Sequence, residues 1–112
     1  MRARSVEDDA AFKGLGAAVR DLREARAMTR EELAGAIEEE PPILRWIEAG
    51  EVDADWGTLR VLAQALGLPL ETMLELAEEA APGEGGEQWR SWSREAARSI
   101  GDGSGRDGRR GR

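Results

Sequence analysis

Residues 29–50 read TREELAGAIEEEPPILRWIEAG, and this stretch decides the fold. Thr29 with Glu32 three positions on forms a capping box, so a helix starts there. Leu33, Ala34 and Ile37 give that helix one apolar side. Three glutamates, Glu38, Glu39 and Glu40, then run into Pro41 and Pro42. Proline cannot continue a helix but suits the first turn of a new one, so a second helix begins near Pro42. Leu44 and Ile47 are its inward face, and Gly50 fits just past its end. Two helices joined this closely cannot lie flat side by side and must cross steeply.

Upstream, Ser5 and Asp8 have the spacing of a capping box ahead of a first helix over about residues 7–27. Phe12, Leu15, Val19 and Leu22 form one stripe along it. Arg20, Arg23 and Arg26 step beside the stripe with Asp21 and Glu24 between them, the pattern of a solvated, salt-bridged face. Downstream, a loop over residues 51–54 leads to Asp55, which caps a fourth helix over residues 56–66 with Leu59, Leu62, Ala63 and Leu66 apolar. Gly67 ends it. A fifth helix follows from Pro69 or Leu70 to about Ala80, with Leu70, Met73, Leu74 and Leu76 as candidate core. No alternating β-branched run occurs, so no sheet is expected.

Residues 81–86, APGEGG, have the composition of a linker. Trp89, Trp92, Ala96 and Ile100 then mark a short amphipathic helix over 87–100. It either folds back on the body or pairs with another chain through the two tryptophans. Residues 101–112 lack apolar side chains after Gly101 and read as a disordered, arginine-rich tail. The expected division is a domain over 1–80, a linker, a helix and a tail.

Composition removes whole classes of chemistry. With no cysteine and no histidine there is no disulfide, no thiolate nucleophile, no ordinary zinc site and no Ser-His-Asp triad. Glu38, Glu39, Glu40, Glu51, Asp53 and Asp55 lack the spacing of a calcium loop and read as a solvated rim. Gly14-Leu15-Gly16 lies inside a helical stripe and is followed by no phosphate-binding pattern. No enzyme, metal or cofactor is expected. Nothing resembles a secretory leader or an eighteen-residue apolar span, which points to a soluble, cytoplasmic protein. Residues 1–83 carry nine basic and eighteen acidic side chains, residues 84–112 seven and five. That acidic body is not the usual footprint of a nucleic-acid binder.

Taken together, the anchors resemble the Cro/C1-type (XRE) helix-turn-helix family over residues 15–76. They are Leu22, Arg23 and Arg26; Thr29, Glu31, Glu32, Leu33 and Ala34; Ile47, Glu48 and Gly50; then Thr58, Leu59, Leu62, Ala63, Ala65, Leu66 and Gly67. The resemblance implies an all-α, compact five-helix bundle, here with the added C-terminal helix and tail. It implies that Arg23 pairs with Glu48 to lock the first helix to the third, a structural role. It also implies a DNA-binding transcriptional regulator that acts as a dimer on paired half-sites. Two departures stand out. The family has glycine at the Glu38 position, where the turn needs positive φ, so either a non-glycine residue there costs on the order of 1 kcal/mol or the second helix runs on to Glu39. The family also has an aliphatic residue at the Glu39 position, and since a glutamate is not buried unpaired, the turn is expected to be re-routed.

By the same resemblance, the positions that face DNA are Arg30, Glu40, Pro41, Pro42, Ile43, Arg45 and Trp46. Arg30 suits phosphate, and Arg45 suits phosphate or guanine. Pro42, Ile43 and Trp46 offer only apolar contact, at most to a thymine methyl. Glu38, Glu39 and Glu40 repel a polyanion. Two readings therefore stand side by side. One is a regulator binding double-stranded DNA through Arg30, Pro42, Ile43, Arg45 and Trp46. The other is a degenerate helix-turn-helix that binds a protein partner through Pro42, Ile43 and Trp46. A homodimer through Trp89 and Trp92 is compatible with both.

Overall fold

The computed structural model describes residues 5–105, folded as six helices: α1 (Val6–Ala25), α2 (Arg30–Ala36), α3 (Pro41–Ala49), α4 (Trp56–Leu66), α5 (Leu70–Ala80) and α6 (Gly85–Gly105). No strand occurs among the described residues. The predicted helix starts rest on local bonds. Thr29 and Glu32 form the full capping box, with Thr29 Oγ1 accepting from Glu32 N–H at 3.0 Å and Glu32 Oε1 accepting from Thr29 N–H at 2.8 Å. Asp55 caps α4 through Thr58 N–H at 2.8 Å. At α1 half of the expected box is present: Ser5 Oγ accepts from Asp8 N–H, while the Asp8 carboxylate accepts from the Gln88 side chain of α6.

The core forms where the apolar stripes meet. Phe12, Leu15 and Val19 of α1, Leu33 of α2, Leu44 and Ile47 of α3, Leu59, Leu62 and Leu66 of α4 and Met73, Leu74 and Ala77 of α5 are all buried. Gly14 and Gly16, which carry no phosphate pattern, allow close backbone approach. A Cβ on Gly14 would lie 2.4 Å from the Ala77 carbonyl oxygen of α5, and one on Gly16 would lie 2.3 Å from the Glu48 carbonyl oxygen of α3.

The C-terminal segment departs most from expectation. α6 starts at Gly85, inside the stretch with linker composition, and continues to Gly105, past the expected end at residue 100. Gly85 and Gly86 are buried, and a Cβ on Gly85 would lie 2.7 Å from the Ala10–Ala11 backbone. These glycines serve close packing, not freedom of a tether. Trp89 is 1% exposed, its indole N–H donates to the Ala11 carbonyl at 2.8 Å, and its ring meets Phe12 edge-on at 5.6 Å. Trp92 is half-buried, 5.0 Å from the Trp89 ring and 5.4 Å from that of Phe12. Of the two alternatives for this helix, folding back on the body is the one present, and Trp89, a core residue of its own chain, is not available to pair with another. The tail reading for residues 101–105 gives way to the last turn of α6; residues 106–112 lie outside the described residues.

Candidate nucleic-acid interface

The geometry of α2 and α3 follows from the turn between them. Ile37 closes α2, and Glu38 adopts φ +60°, the left-handed conformation that favours glycine. Glu38 N–H donates to the Gly35 carbonyl at 3.2 Å and Glu39 N–H to the Ala34 carbonyl at 2.9 Å, the paired bonds of a Schellman motif. Of the two alternatives at Glu38, a non-glycine residue in the left-handed conformation is the one present; helix α2 does not run on to Glu39, and the expected re-routing of the turn does not occur. Glu39 stays exposed, and Ile37, 8% exposed, supplies the apolar contact instead. The same motif closes α1, where Ala27 has φ +56° and Met28 N–H donates to the Arg23 carbonyl at 3.1 Å.

Glu40 stands at the head of α3 with no side-chain capping bond, followed by Pro41 and Pro42 as the first two helical residues. Neither proline has an N–H, and Ile43 N–H is already given to the Glu40 carbonyl at 2.9 Å. The start of α3 therefore lacks the free backbone donors with which a helix N-terminus ordinarily holds a phosphate.

The orientation of α3 is set by a buried charged cluster. Arg23 Nε donates to Glu48 Oε2 at 2.6 Å and Arg23 Nη2 to Glu48 Oε1 at 3.3 Å, a two-pronged pair. Arg23 Nη1 also donates to the Met28 carbonyl at 2.8 Å. The hydrogen bond to Glu48 raises Arg23 above the usual arginine range against the opposing effect of burial, so the guanidinium is firmly charged. The structural pairing expected of Arg23 and Glu48 is present. Arg30 joins it, with Nε donating to Glu48 Oε1 at 3.0 Å. One carboxylate thus ties α1, α2 and α3 together. Nothing in the spacing along the chain signals this second arginine, because residues 30 and 48 meet only once α2 and α3 cross.

The residues expected to face DNA separate into three groups. Arg45 and Pro42 are exposed, and Trp46 is 43% exposed, so these three share the outer face of α3. Ile43 is half-buried and packs against the core. Arg30 is committed at Nε to Glu48 with its side chain 41% exposed. Around them Glu38, Glu39, Glu40 and Glu51 are all exposed.

A profile described as "Helix-turn-helix domain" matches residues 14–76. The chain belongs to the helix-turn-helix domain family. Two crystal structures of the clp gene regulator ClgR from Corynebacterium glutamicum are similar to this helix-turn-helix protein. One has a TM-score of 0.60 at 30% identity and covers 62% of this chain and 91% of that one. The other has a TM-score of 0.61 at 26% identity and covers 80% and 89%. No curated protein matches the chain. Family and fold are those of a DNA-binding transcription regulator of the XRE type, not those of an enzyme. Among the described residues no helix is long and apolar enough to cross a membrane.

Proposed function

We propose that this regulator binds double-stranded DNA in the cytoplasm with the outer face of α3, using an unusually apolar readout. The observation that carries the reading is the cluster of Arg23, Glu48 and Arg30, which holds α3 at a fixed angle with Arg45 and Trp46 outward. Arg45 supplies the cation for phosphate or guanine, and Pro42 and Trp46 supply contact with thymine methyl groups. Arg30 adds charge near the backbone while it braces Glu48. The protein acts as a homodimer on paired half-sites, as suits a single short reading helix. Trp89, being internal, has no part in that dimer.

The test is selection of genomic fragments on the full chain at low salt, followed by fluorescence anisotropy on the enriched sequence. Arg45→Ala should weaken binding about tenfold or more and flatten the salt dependence by roughly one phosphate contact. Enrichment of no sequence would sink the reading. The second reading, a protein partner on Pro42, Ile43 and Trp46, is favoured by the same exposed glutamates and by the absence of free donors at the start of α3. It requires that Trp46→Ala abolish capture of a specific protein while the fold is retained.

A further inference from the structure

One recess of the described residues lies away from α3. It is an open groove of about 740 Å³ between the start of α4, the outer side of α5 and the middle of α6. Its walls are two indoles, Trp56 from α4 and Trp92 from α6, with Leu70 and Leu74 of α5 between them. Leu74 is buried, and both tryptophans are half-buried against the core, so the apolar surface is part of the folded body. The polar lining has one dominant sign: Glu71, Glu75 and Glu78 from α5 and Glu95 from α6 stand against the single guanidinium of Arg60. Glu78 is partly answered by Arg90 at 3.3 Å; no other partner is seen for Glu71, Glu75 or Glu95 among the described residues.

We propose that this groove binds a hydrophobic organic cation, a small molecule with an apolar or aromatic body and a delocalised positive charge. Three physical features select that occupant. A cation placed against indole rings is attracted by their π-electrons, most strongly where water is partly excluded. The carboxylates on the rim add a field of the same preference, offset only in part by Arg60 and by Arg90 at Glu78. The volume falls in the range of small-molecule sites, which are mostly apolar with a few placed charges. A second copy of the chain packed here about a two-fold axis would bring each set of carboxylates against its own image, which costs free energy. An anion or a neutral lipid gains nothing from the rim.

The position gives binding a consequence. Trp56 is the first residue of α4, reached from the end of α3 through the short loop over residues 51–55. An occupant held between Trp56 and Trp92 ties that loop to α6. Its action as an effector rests on the DNA-binding reading above, whereas its binding does not, so the two fail separately.

The test is isothermal titration of the full chain, without DNA, using tetraphenylphosphonium and tetraphenylborate, ions of like shape and opposite charge. The phosphonium should bind and the borate should not. Glu75→Gln combined with Glu95→Gln, two exposed positions, should weaken the phosphonium about fivefold or more, and added salt should weaken it further. Trp56→Leu, which keeps apolar bulk, should weaken it about threefold or more. Equal binding of both ions, binding of neither, or indifference to the glutamine pair overturns the proposal. So does a phosphonium that binds only by dissociating a dimer in sedimentation, which would assign the groove to a second copy. Binding that emerges only when Arg109 and Arg110 are replaced by glycine would assign the groove to the arginine-rich end of the chain, and would overturn it equally.

Discussion

Helix α1 carries two helices that are fastened by different chemistry. Near its middle and end, α3 is held by Glu48 between Arg23 and Arg30, with backbones brought close at Gly16. Near its start, α6 is held by Trp89 and Trp92 packed on Phe12, with backbones brought close at Gly85. The charged fastening is directional. A two-pronged arginine–carboxylate pair has one good geometry, so it sets the angle of α3 and therefore which side chains face out. The aromatic fastening works mainly through area removed from water, so it sets attachment more than angle. A helix that presents a reading face needs the first kind, and a helix that closes a core can rely on the second.

Substitutions separate the two. Trp89→Ala should cost the most, about 3–5 kcal/mol in urea unfolding, because it opens a large cavity and frees the Ala11 carbonyl. A loss below about 1 kcal/mol would mean α6 is not fastened as described. Glu48→Ala should follow at about 3 kcal/mol, because Arg23 would stay buried without its carboxylate. An unchanged unfolding midpoint would remove the charged cluster as the brace. Smaller gains are expected at the two left-handed turns that flank α2. Ala27→Gly and Glu38→Gly should each add about 1 kcal/mol by relieving a positive φ. For a domain this size that is a rise of about 4–8 °C in Tm. A fall would show that the turn side chains hold α2 in some other way.

The smallest effect concerns pH. The Thr58 N–H holds the Asp55 carboxyl below its ordinary value of 3.8. A carboxylate depressed on folding contributes stability that is present above its ordinary range and lost as pH falls through the folded value. Wild type should therefore lose slightly more stability than Asp55→Asn between pH 5 and the acid side of that value. Parallel acid profiles for the two would show that the cap is not linked to protonation.

Most of the helical plan was legible along the chain, because its signals are short-range. The Thr29–Glu32 box, the prolines at the head of α3, Gly50 and Gly67 after α3 and α4, and the cap at Asp55 each act within a few residues. The pairing of Arg23 with Glu48 was legible only through family resemblance. The site was legible in part. Arg45, Pro42 and Trp46 lie outward as their positions on α3 suggest, but Arg30 and Ile43 are drawn into bracing and packing. Composition misled at Gly85 and Gly86, where glycine signals freedom in a loop and close approach in a helix contact. Only the neighbouring backbone of α1 decides between them.

By itself, the sequence determined an all-α chain with a steep two-helix crossing at residues 29–50, since propensity, capping and periodicity are properties of neighbours along the backbone. It also determined the acidic setting of that crossing and the absence of cysteine and histidine chemistry. The tertiary structure alone decided that Glu48 serves two arginines. It also decided that Trp89 closes its own core and that Trp56 and Trp92 face one acidic groove. These outcomes depend on which residues meet across distances of tens of positions, and that is settled by packing the helices together, not by any one of them.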